Sequence, residues 1–371
     1  VKGDSPMLEL RIEEARVEDV ALGDGRRGFV VTLFDDGGRG GLGEATPLSG
    51  FSPEDVASCA QALHEVSARV GAAWPAMRGT APALATTATP KDEVASWMDR
   101  FAPGLDRVPS ARFALETALL DLLGQQLRLS VAASLGGACA YAEVPVNGLA
   151  VAADGPEVLV EAGHALVARG MRCLKVKLRG RDDAAFAAEL EALRALRRAV
   201  EPPGGLELRL DANGVWSLEE ARRRLDALAP LRPRFVEQPV AAEALDQLGP
   251  CAVPWAADES LGVPGMAERL LEADGCVAFV LKPAALGLLR AHTLGTMAQA
   301  RGLGVVVTHF MDGPVALAAA CELALGLPSA PLACGLDVHA GLRAWPSLPV
   351  PQRRLEGVVV ASGRAGLGVA S

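Results

Sequence analysis

Two hydrophobic periods divide the chain. Up to about residue 128, alternating stretches come first: LELRIEEARV (8–17), FVVTLFDD (29–36) and GGLGEA (40–45) predict three strands, separated by glycine-rich or charged turns. Apolar residues then recur at three- and four-residue steps. PEDVASCAQALHEVSARV (53–70), with Pro53 early, and SARFALETALLDLLGQQL (110–127), opened by Ser110, predict helices. Strands followed by helices describe an α+β unit of ordinary domain size.

From Glu143 the pattern changes. VPVNGLA, RCLKVKL, LELRLDAN, RFVEQP, PWAADES, AFVLKP, GVVVTHF and PLACGLD predict eight strands, with Ala/Leu/Glu/Arg-rich helical stretches in most of the gaps. Their starts lie about 20 to 35 residues apart, the length of a βα repeat. Near-continuous apolar runs suit parallel strands covered by helices. Eight units predict a (β/α)8 barrel, with a doubly wound open sheet as the alternative. The tail, RRLEGVVVASGRAGLGV (353–369), supplies one further strand, expected to return to the first unit.

Composition narrows the partners. With 371 residues, half of them hydrophobic, and a formal net charge of −9, the chain has ample core but no basic footprint for nucleic acid or an anionic membrane. A small anionic ligand stays open, since local charge can oppose the global sign. Seven cysteines without any C-x-x-C argue for free thiols rather than a disulfide framework or a zinc site. The start VKGDSPMLEL has no apolar leader core, and no apolar run is long enough for a membrane helix, so a cytoplasmic location is expected.

The candidate chemistry lies at the strand ends. In CLKVKLRG, Leu174, Val176 and Leu178 share one face and Lys175 and Lys177 the other, with ammonium groups roughly 7 Å apart. Asp211 and Asn213 close the third strand, Glu237 the fourth, Asp258 the fifth and Lys282 the sixth. Each strand stays apolar until its last residues. In a barrel those ends line the active site, so Asp211, Glu237 and Asp258 should converge from adjacent strands. Three gathered carboxylates require protons or a cation, and an oxygen-only donor set suits Mg2+, with Mn2+ possible. The paired lysines then find a use: mutual repulsion, burial and a nearby dication are expected to depress their pKa values, so that one acts as a base. Taken singly, each of these motifs is more often turn or loop chemistry. Five of them on successive strands form a constellation. His309 ends the seventh strand near Asp312, while His64, His164, His292 and His339 read as surface or packing residues.

These residues resemble the enolase superfamily, in its muconate-lactonizing-enzyme branch, over nearly the whole chain. The resemblance implies a modified (β/α)8 barrel with an α+β capping domain formed by the N-terminal region and the C-terminal tail. It divides the chain into a cap at 1–128 carrying specificity loops, a catalytic barrel at 129–340, and a returning segment at 341–371. It implies Asp211, Glu237 and Asp258 as ligands of Mg2+, Lys177 as base, Lys175 as its partner, and Lys282 as the lysine across the cavity.

Within the branch, GLGEATPLSGFSPED, VPVNGLA and VLKPAALG are most similar to the o-succinylbenzoate synthases of menaquinone biosynthesis. That similarity implies a Mg-dependent dehydration of a small carboxylate. Candidate substrate-binding residues are Phe51, Ser52, Asn147, Asn213, Thr308, His309, Phe310 and Asp312, and the seventh-strand loop Thr308–Pro314 departs from the Ser-rich loop of those synthases. Epimerisation of dipeptides or N-acylamino acids, muconate cycloisomerisation, and a non-catalytic barrel with a binding role are the alternatives. A homo-oligomer is compatible with all of them.

Overall fold

The computed structural model describes residues 7–22, 25–70, 77–80, 89–136, 142–200, 205–339, 342 and 350–369; Cys139 lies outside them. In the N-terminal part the strand expected from residue 8 is two strands, β1 (Met7–Leu10) and β2 (Ile12–Ala21), broken at Arg11. β2 continues into an antiparallel meander with β3 (Arg27–Asp35) and β4 (Gly40–Ala45). After α1 (Val56–Ser67), capped by Asp55 accepting from Ser58 N at 2.7 Å, β5 (Met77–Thr80) pairs with β1. Helices α2 (Pro90–Phe101), α3 (Pro109–Leu127) and α4 (Val131–Ser134) follow.

Helix α3 is the spine of this part. Leu115, Leu119, Leu120, Leu122 and Leu123 are buried on several of its faces, each worth about 1.5–3 kcal/mol of burial. The two carboxylates within it are satisfied by backbone. Asp121 accepts from Leu42 N (2.9 Å) and Leu367 N (2.8 Å), and Glu116 accepts from Leu289 N (3.0 Å) while pairing with Arg112 (2.7 Å). Gly41 and Gly43 let β4 lie directly on α3, because a Cβ at either would overlap the carbonyl of Ala118 or Ala114.

The second part opens with β6 (Glu143–Pro145) and β7 (Gly148–Val151). Then come α5 (Pro156–Ala168), β8 (Cys173–Lys177), α6 (Asp183–Ala199), β9 (Glu207–Asp211) and α7 (Leu218–Leu228), whose start carries a reciprocal Ser217–Glu220 cap. β10 (Val236–Glu237), β11 (Trp255–Ala257), α8 (Met266–Leu270), β12 (Cys276–Leu281), α9 (Pro283–Leu286), α10 (Leu288–Ala300), β13 (Gly304–Val307) and α11 (Pro314–Leu325) complete it. The seven strands β7 to β13 form one parallel sheet in chain order.

The predicted eighth strand, PLACGLD, is present as isolated bridges rather than a ladder. Leu332 N and Gly335 N donate to Val305 O and Val307 O at 2.8 and 2.9 Å, and Cys334 exchanges bonds of 2.7 and 2.9 Å with Pro145 O and Asn147 N. Its bonds alternate between two neighbours, so neither side gains consecutive paired residues, yet the sheet closes. The tail forms β14 (Arg353–Leu355) and β15 (Val358–Val360), and β15 pairs antiparallel with β6 rather than with β2, β3 or β4. Farther on, Gly366 bonds to Leu129 and Val131, and Leu367 to Asp121 of α3.

Outward residues such as Leu174, Val176, Leu208, Leu210, Phe279 and Leu281 belong to the main buried core. Inside the barrel, Phe235, Ala256, Ala278, Val280 and Val306 form a small separate cluster. The inward positions beyond this layer carry the polar residues. Among the described residues no helix is long and apolar enough to cross a membrane.

Candidate active site

Strand periodicity sets the site. Lys175 and Lys177 project from one face of β8, opposite Arg209 and Asp211 of β9, and Asp211 is opposite Glu237 of β10. Glu237 in turn pairs with Ala256, so Asp258 lies two residues farther along the inward face. Lys282 follows β12, four strands away from β8 in the sheet order.

The side chains interleave. Lys175 Nζ bridges Glu237 Oε1 at 2.6 Å and Asp211 Oδ2 at 2.9 Å. Lys282 Nζ lies against Asp258 Oδ2 and 3.8 Å from Glu259 Oε1. Lys177 is different: its amine donates to the neutral amide oxygen of Asn213 at 3.4 Å, and among the described residues it makes no ion pair. Asn213, at φ 48°, also donates its backbone N–H to Asp211 Oδ1 at 3.0 Å and so orients that carboxylate.

Gln238, fully buried at φ 40°, ties the next loop down. Its Oε1 accepts from Asp258 N at 3.0 Å and Ser260 N at 3.2 Å, and its Nε2 donates to Ser260 Oγ at 2.7 Å and Val240 O at 2.9 Å. Sequence reasoning gave Gln238 no role of its own. A carboxamide between an acidic residue and a proline at a strand end was the available signal.

The electrostatics correct one expectation. Burial pushes the Lys175 and Lys282 ammonium groups down, but the carboxylates outweigh it and hold both above the ordinary lysine value. For Lys175 these are Asp211, Glu237 and Asp258; for Lys282, Asp258, Glu259 and Glu237. The depression anticipated for the adjacent pair Lys175 and Lys177 does not arise at Lys175, because Asp211 and Glu237 hold its amine directly. Among the carboxylates, burial and Glu237 raise Asp211, and burial and Glu259 raise Asp258. Glu237 is raised by burial but carried below its usual range by Lys175 and by a hydrogen bond with Asp258.

Asp211, Glu237 and Asp258 are the residues that could hold a cation. Among the described residues, however, no three acidic, histidine or cysteine side chains are gathered closely enough to enclose one. The lysines stand between the acids instead. The donor set is oxygen only, and two of its members are pushed toward protonation by burial and like charge, which a divalent ion would offset. In donor chemistry, though not in their present spacing, the three acids suit Mg2+ or Mn2+.

The site opens into a cavity of about 330 Å3 lined by Lys175, Lys177, Asp211 and Lys282, by Phe51, Asn147, Thr308, His309 and Phe310, and also by Arg169, Asp337 and His339. Phe51 and Phe310 approach with ring centroids 6.2 Å apart, and the Lys282 amine lies 5.8 and 5.4 Å from those two rings. Ser52, Asn213 and Asp312 are not among the lining residues. Ser52 Oγ accepts from Leu48 N at 2.9 Å within its own turn. Asp312 is buried, accepting from Thr46 Oγ1 at 2.9 Å and Phe310 N at 2.8 Å.

The loop after β13 is thus clamped from the N-terminal sheet. Glu44 accepts from Gly313 N at 2.5 Å and Ala316 N at 2.9 Å at the start of α11, and Arg26 donates to the carbonyls of Phe310 and Met311. Glu44 went unread, although a lone acid inside a strand of glycines marked it. His339, expected at the surface or in packing, lines the cavity and stacks on His309 with centroids 4.2 Å apart. His292 packs in the interior, its Nε2 3.3 Å from Gly326 O, and burial lowers it to about 4.

Comparison with known proteins agrees with this architecture. The family described as Enolase C-terminal domain-like matches residues 157–371. The chain is 37% identical to an o-succinylbenzoate synthase of Thermobifida fusca over 57% of its own length and 68% of that protein. It is 31% identical to an o-succinylbenzoate synthase of Desulfotalea psychrophila over 81% of its length and 84% of that protein. A hydrophobic dipeptide epimerase of Roseobacter litoralis is 33% identical over 62% of this chain and 65% of the relative.

Among solved structures, a muconate lactonizing enzyme from Klebsiella pneumoniae aligns with a TM-score of 0.79 at 25% identity, covering 97% of this chain and 96% of the other. A dipeptide epimerase from Methylococcus capsulatus, complexed with Mg ion, aligns with a TM-score of 0.75 at 25% identity, covering 98% and 99%. Synthases and epimerases thus match to similar degrees, and they share a family of enzymes. With a curled parallel sheet, charged strand ends and a matching family domain over more than half its length, the chain belongs to the enolase superfamily.

Proposed function

We propose that the protein is an o-succinylbenzoate synthase, catalysing the syn-dehydration of 2-succinyl-6-hydroxy-2,4-cyclohexadiene-1-carboxylate in menaquinone biosynthesis. The observation that carries this reading is the different treatment of the lysines around one cavity. Lys175 and Lys282 are held by carboxylates, while Lys177 donates to a neutral amide and makes no ion pair among the described residues. The two synthase relatives support it. In this reading residues 1–128 and 341–371 form the cap over a barrel of 129–340, and Phe51 and Ser52 belong to the cap's specificity loop.

Lys177 is the amine available to take the proton α to the substrate carboxylate. The Lys282 ammonium, on the far side, faces the negative charge that develops there. Having gained a proton, Lys177 returns it to the departing hydroxyl on the same face, so that water leaves and the ring becomes aromatic. Mg2+, held by Asp211, Glu237 and Asp258, would supply the positive charge that binds the substrate carboxylate and stabilises it as charge builds. Lys175 bridges Asp211 and Glu237, favours their ionised forms against burial, and holds both in place. Ultraviolet monitoring of the purified protein with the cyclohexadiene substrate and Mg2+ tests the reading; a flat trace at high enzyme concentration overturns it.

A second reading, epimerisation of a dipeptide or an N-acylamino acid, is favoured by the same two amines, since Lys177 and Lys282 could exchange a proton from opposite faces. Solvent deuterium entering such a substrate without loss of water, followed by NMR in D2O, would identify it.

A further inference from the structure

Lys177 is the least restrained of the three lysines. Two carboxylates hold the Lys175 amine at 2.6 and 2.9 Å, and Lys282 lies against Asp258, whereas the Lys177 amine has the 3.4 Å bond to Asn213. A side chain tethered so weakly takes its position from its backbone. Lys177 is the last residue of β8, so the turn that follows it fixes where its Cα stands.

That turn, Leu178 to Gly180, is gripped from three sides. Leu178 N donates to Asp211 O at 2.7 Å, extending the β8–β9 ladder by one bond. Glu189 of α6, buried, accepts from Arg179 N at 2.5 Å and from Gly180 N at 3.0 Å through a single oxygen. Arg224 of α7, also buried, donates from Nη1 to Gly180 O at 2.9 Å. A Cβ on Gly180 would come within 2.8 Å of the other Glu189 oxygen, so the turn is packed without slack.

Stability alone does not account for these two charges. Removing an ion from water is costly, and apolar residues of similar volume commonly serve a fold as well or better. Glu189 Oε2 and Arg224 Nε have no hydrogen-bond partner among the described residues, and Arg224 Nη2 has only the longer approaches of Glu220 (3.5 Å) and Asp183 (3.6 Å). The guanidinium is compensated partly by rings, lying 4.8 Å from the centroid of Phe186 and 5.4 Å from that of Trp216. Trp216 belongs to the loop after Asp211 and Asn213, and its backbone N–H donates to Pro239 O, just beyond Glu237, at 3.2 Å. Arg224 thus joins the exit of the lysine strand to the exits of two acid strands.

We propose that Glu189 and Arg224 are positioning residues for Lys177. Neither lines the cavity; together they fix the turn from which the amine projects. The inference rests on Lys177 being the base, in dehydration or in epimerisation alike, and assigns what sets its reach. A misplacement of about 1 Å at a reacting group costs on the order of 10²-fold in rate.

Rates on the cyclohexadiene substrate, together with calorimetric Mg2+ binding, separate positioning from general support. Glu189→Leu removes the acceptor. Glu189→Leu combined with Arg224→Met fills the same space without stranding a guanidinium, and serves where the single variant does not fold. In either, kcat should fall about 10- to 100-fold while KM and the Mg2+ Kd stay within about twofold of wild type. Glu189→Gln keeps an oxygen for Arg179 and Gly180 and should recover the rate to within about threefold of wild type. An unchanged kcat per folded molecule overturns the proposal, as does a KM or Mg2+ Kd that loosens as far as kcat falls. So does Glu189→Gln as slow as Glu189→Leu, or failure of both apolar variants to fold, which would assign the pair to stability. If the wild-type protein does not dehydrate the substrate, the synthase reading fails, and the same variants are compared by solvent deuterium entering L-Leu-L-Tyr in D2O. Wild-type protein silent in both assays removes Lys177 from the base role and the positioning claim with it.

Discussion

On β9, Arg209 and Asp211 point the same way, two residues apart, yet they belong to different kinds of polar interior. Arg209 lies 5.2 Å from the Phe235 ring, bonds Ala333 O at 2.6 Å and pairs with Glu207, which also holds Arg234 at 2.5 Å. Burial raises Glu207, but Arg209 and Arg234 outweigh it and keep the carboxyl below its usual range. Every charge in that group has a partner, and guanidinium cannot give up its proton. One step along the strand the partners of Asp211 are lysines, its carboxyl is raised, and a cavity adjoins it. Fixed charge with closed valences supports a fold; titratable charge beside open space supports chemistry.

That contrast can be broken most directly at Lys177. Lys177→Ala should lower turnover of the cyclohexadiene substrate by about 10²–10⁴-fold while far-ultraviolet dichroism and Mg2+ titration stay as in wild type. Activity near wild type would remove Lys177 from the base role. At the floor the signs reverse. Arg209→Met should cost about 1–3 kcal/mol of stability in urea unfolding by leaving the Ala333 carbonyl unpaired while Glu207 keeps Arg234, with kcat per folded molecule preserved. A fall in kcat without a fall in stability would erase the distinction between the two ends.

A smaller effect concerns the ion. Mg2+ at a hundred times its Kd should stabilise the wild-type protein by about 2.7 kcal/mol, and Asp258→Asn should abolish most of that gain in thermal melts. An equal response in the variant would exclude Asp258 as a ligand.

A pH dependence lies at the clamp between sheet and barrel. Burial, then Asp312, pushes the Glu44 carboxyl up from its ordinary 4.5 to about 8. A carboxyl raised on folding contributes stability below its unfolded value and loses it as pH climbs through the folded one. Melting temperature should therefore decline across roughly pH 5 to 8 in the wild type and decline less in Glu44→Gln. Parallel curves would show that Glu44 stays ionised throughout.

The strand ends were legible because β periodicity is local. Asp211, Glu237, Asp258 and Lys282 each interrupt an apolar run at its last residue, and a one-residue error would have turned them outward. What remained hidden depends on distant neighbours. The direction of the lysine shifts is decided by acids from three other strands. The stacking of His339 on His309 joins two loops whose spacing carries no period. The broken eighth stave follows from alternating bonds to two partners, which an apolar run cannot reveal. β5, four residues paired with β1, shows no alternation strong enough to be noticed alone.

Gly41 and Gly43 have a mechanical consequence. With no side chain between them, β4 and α3 ride as a single plate, and the bond from Leu42 to Asp121 pins it. In the proposed reading, the short turn Leu48–Ser52 carrying Phe51, rather than the sheet, is the part of the cap left to adjust to substrate. Exchanging that turn among relatives should retune selectivity as a modular graft, whereas a methyl group added to either glycine would pry the plate apart.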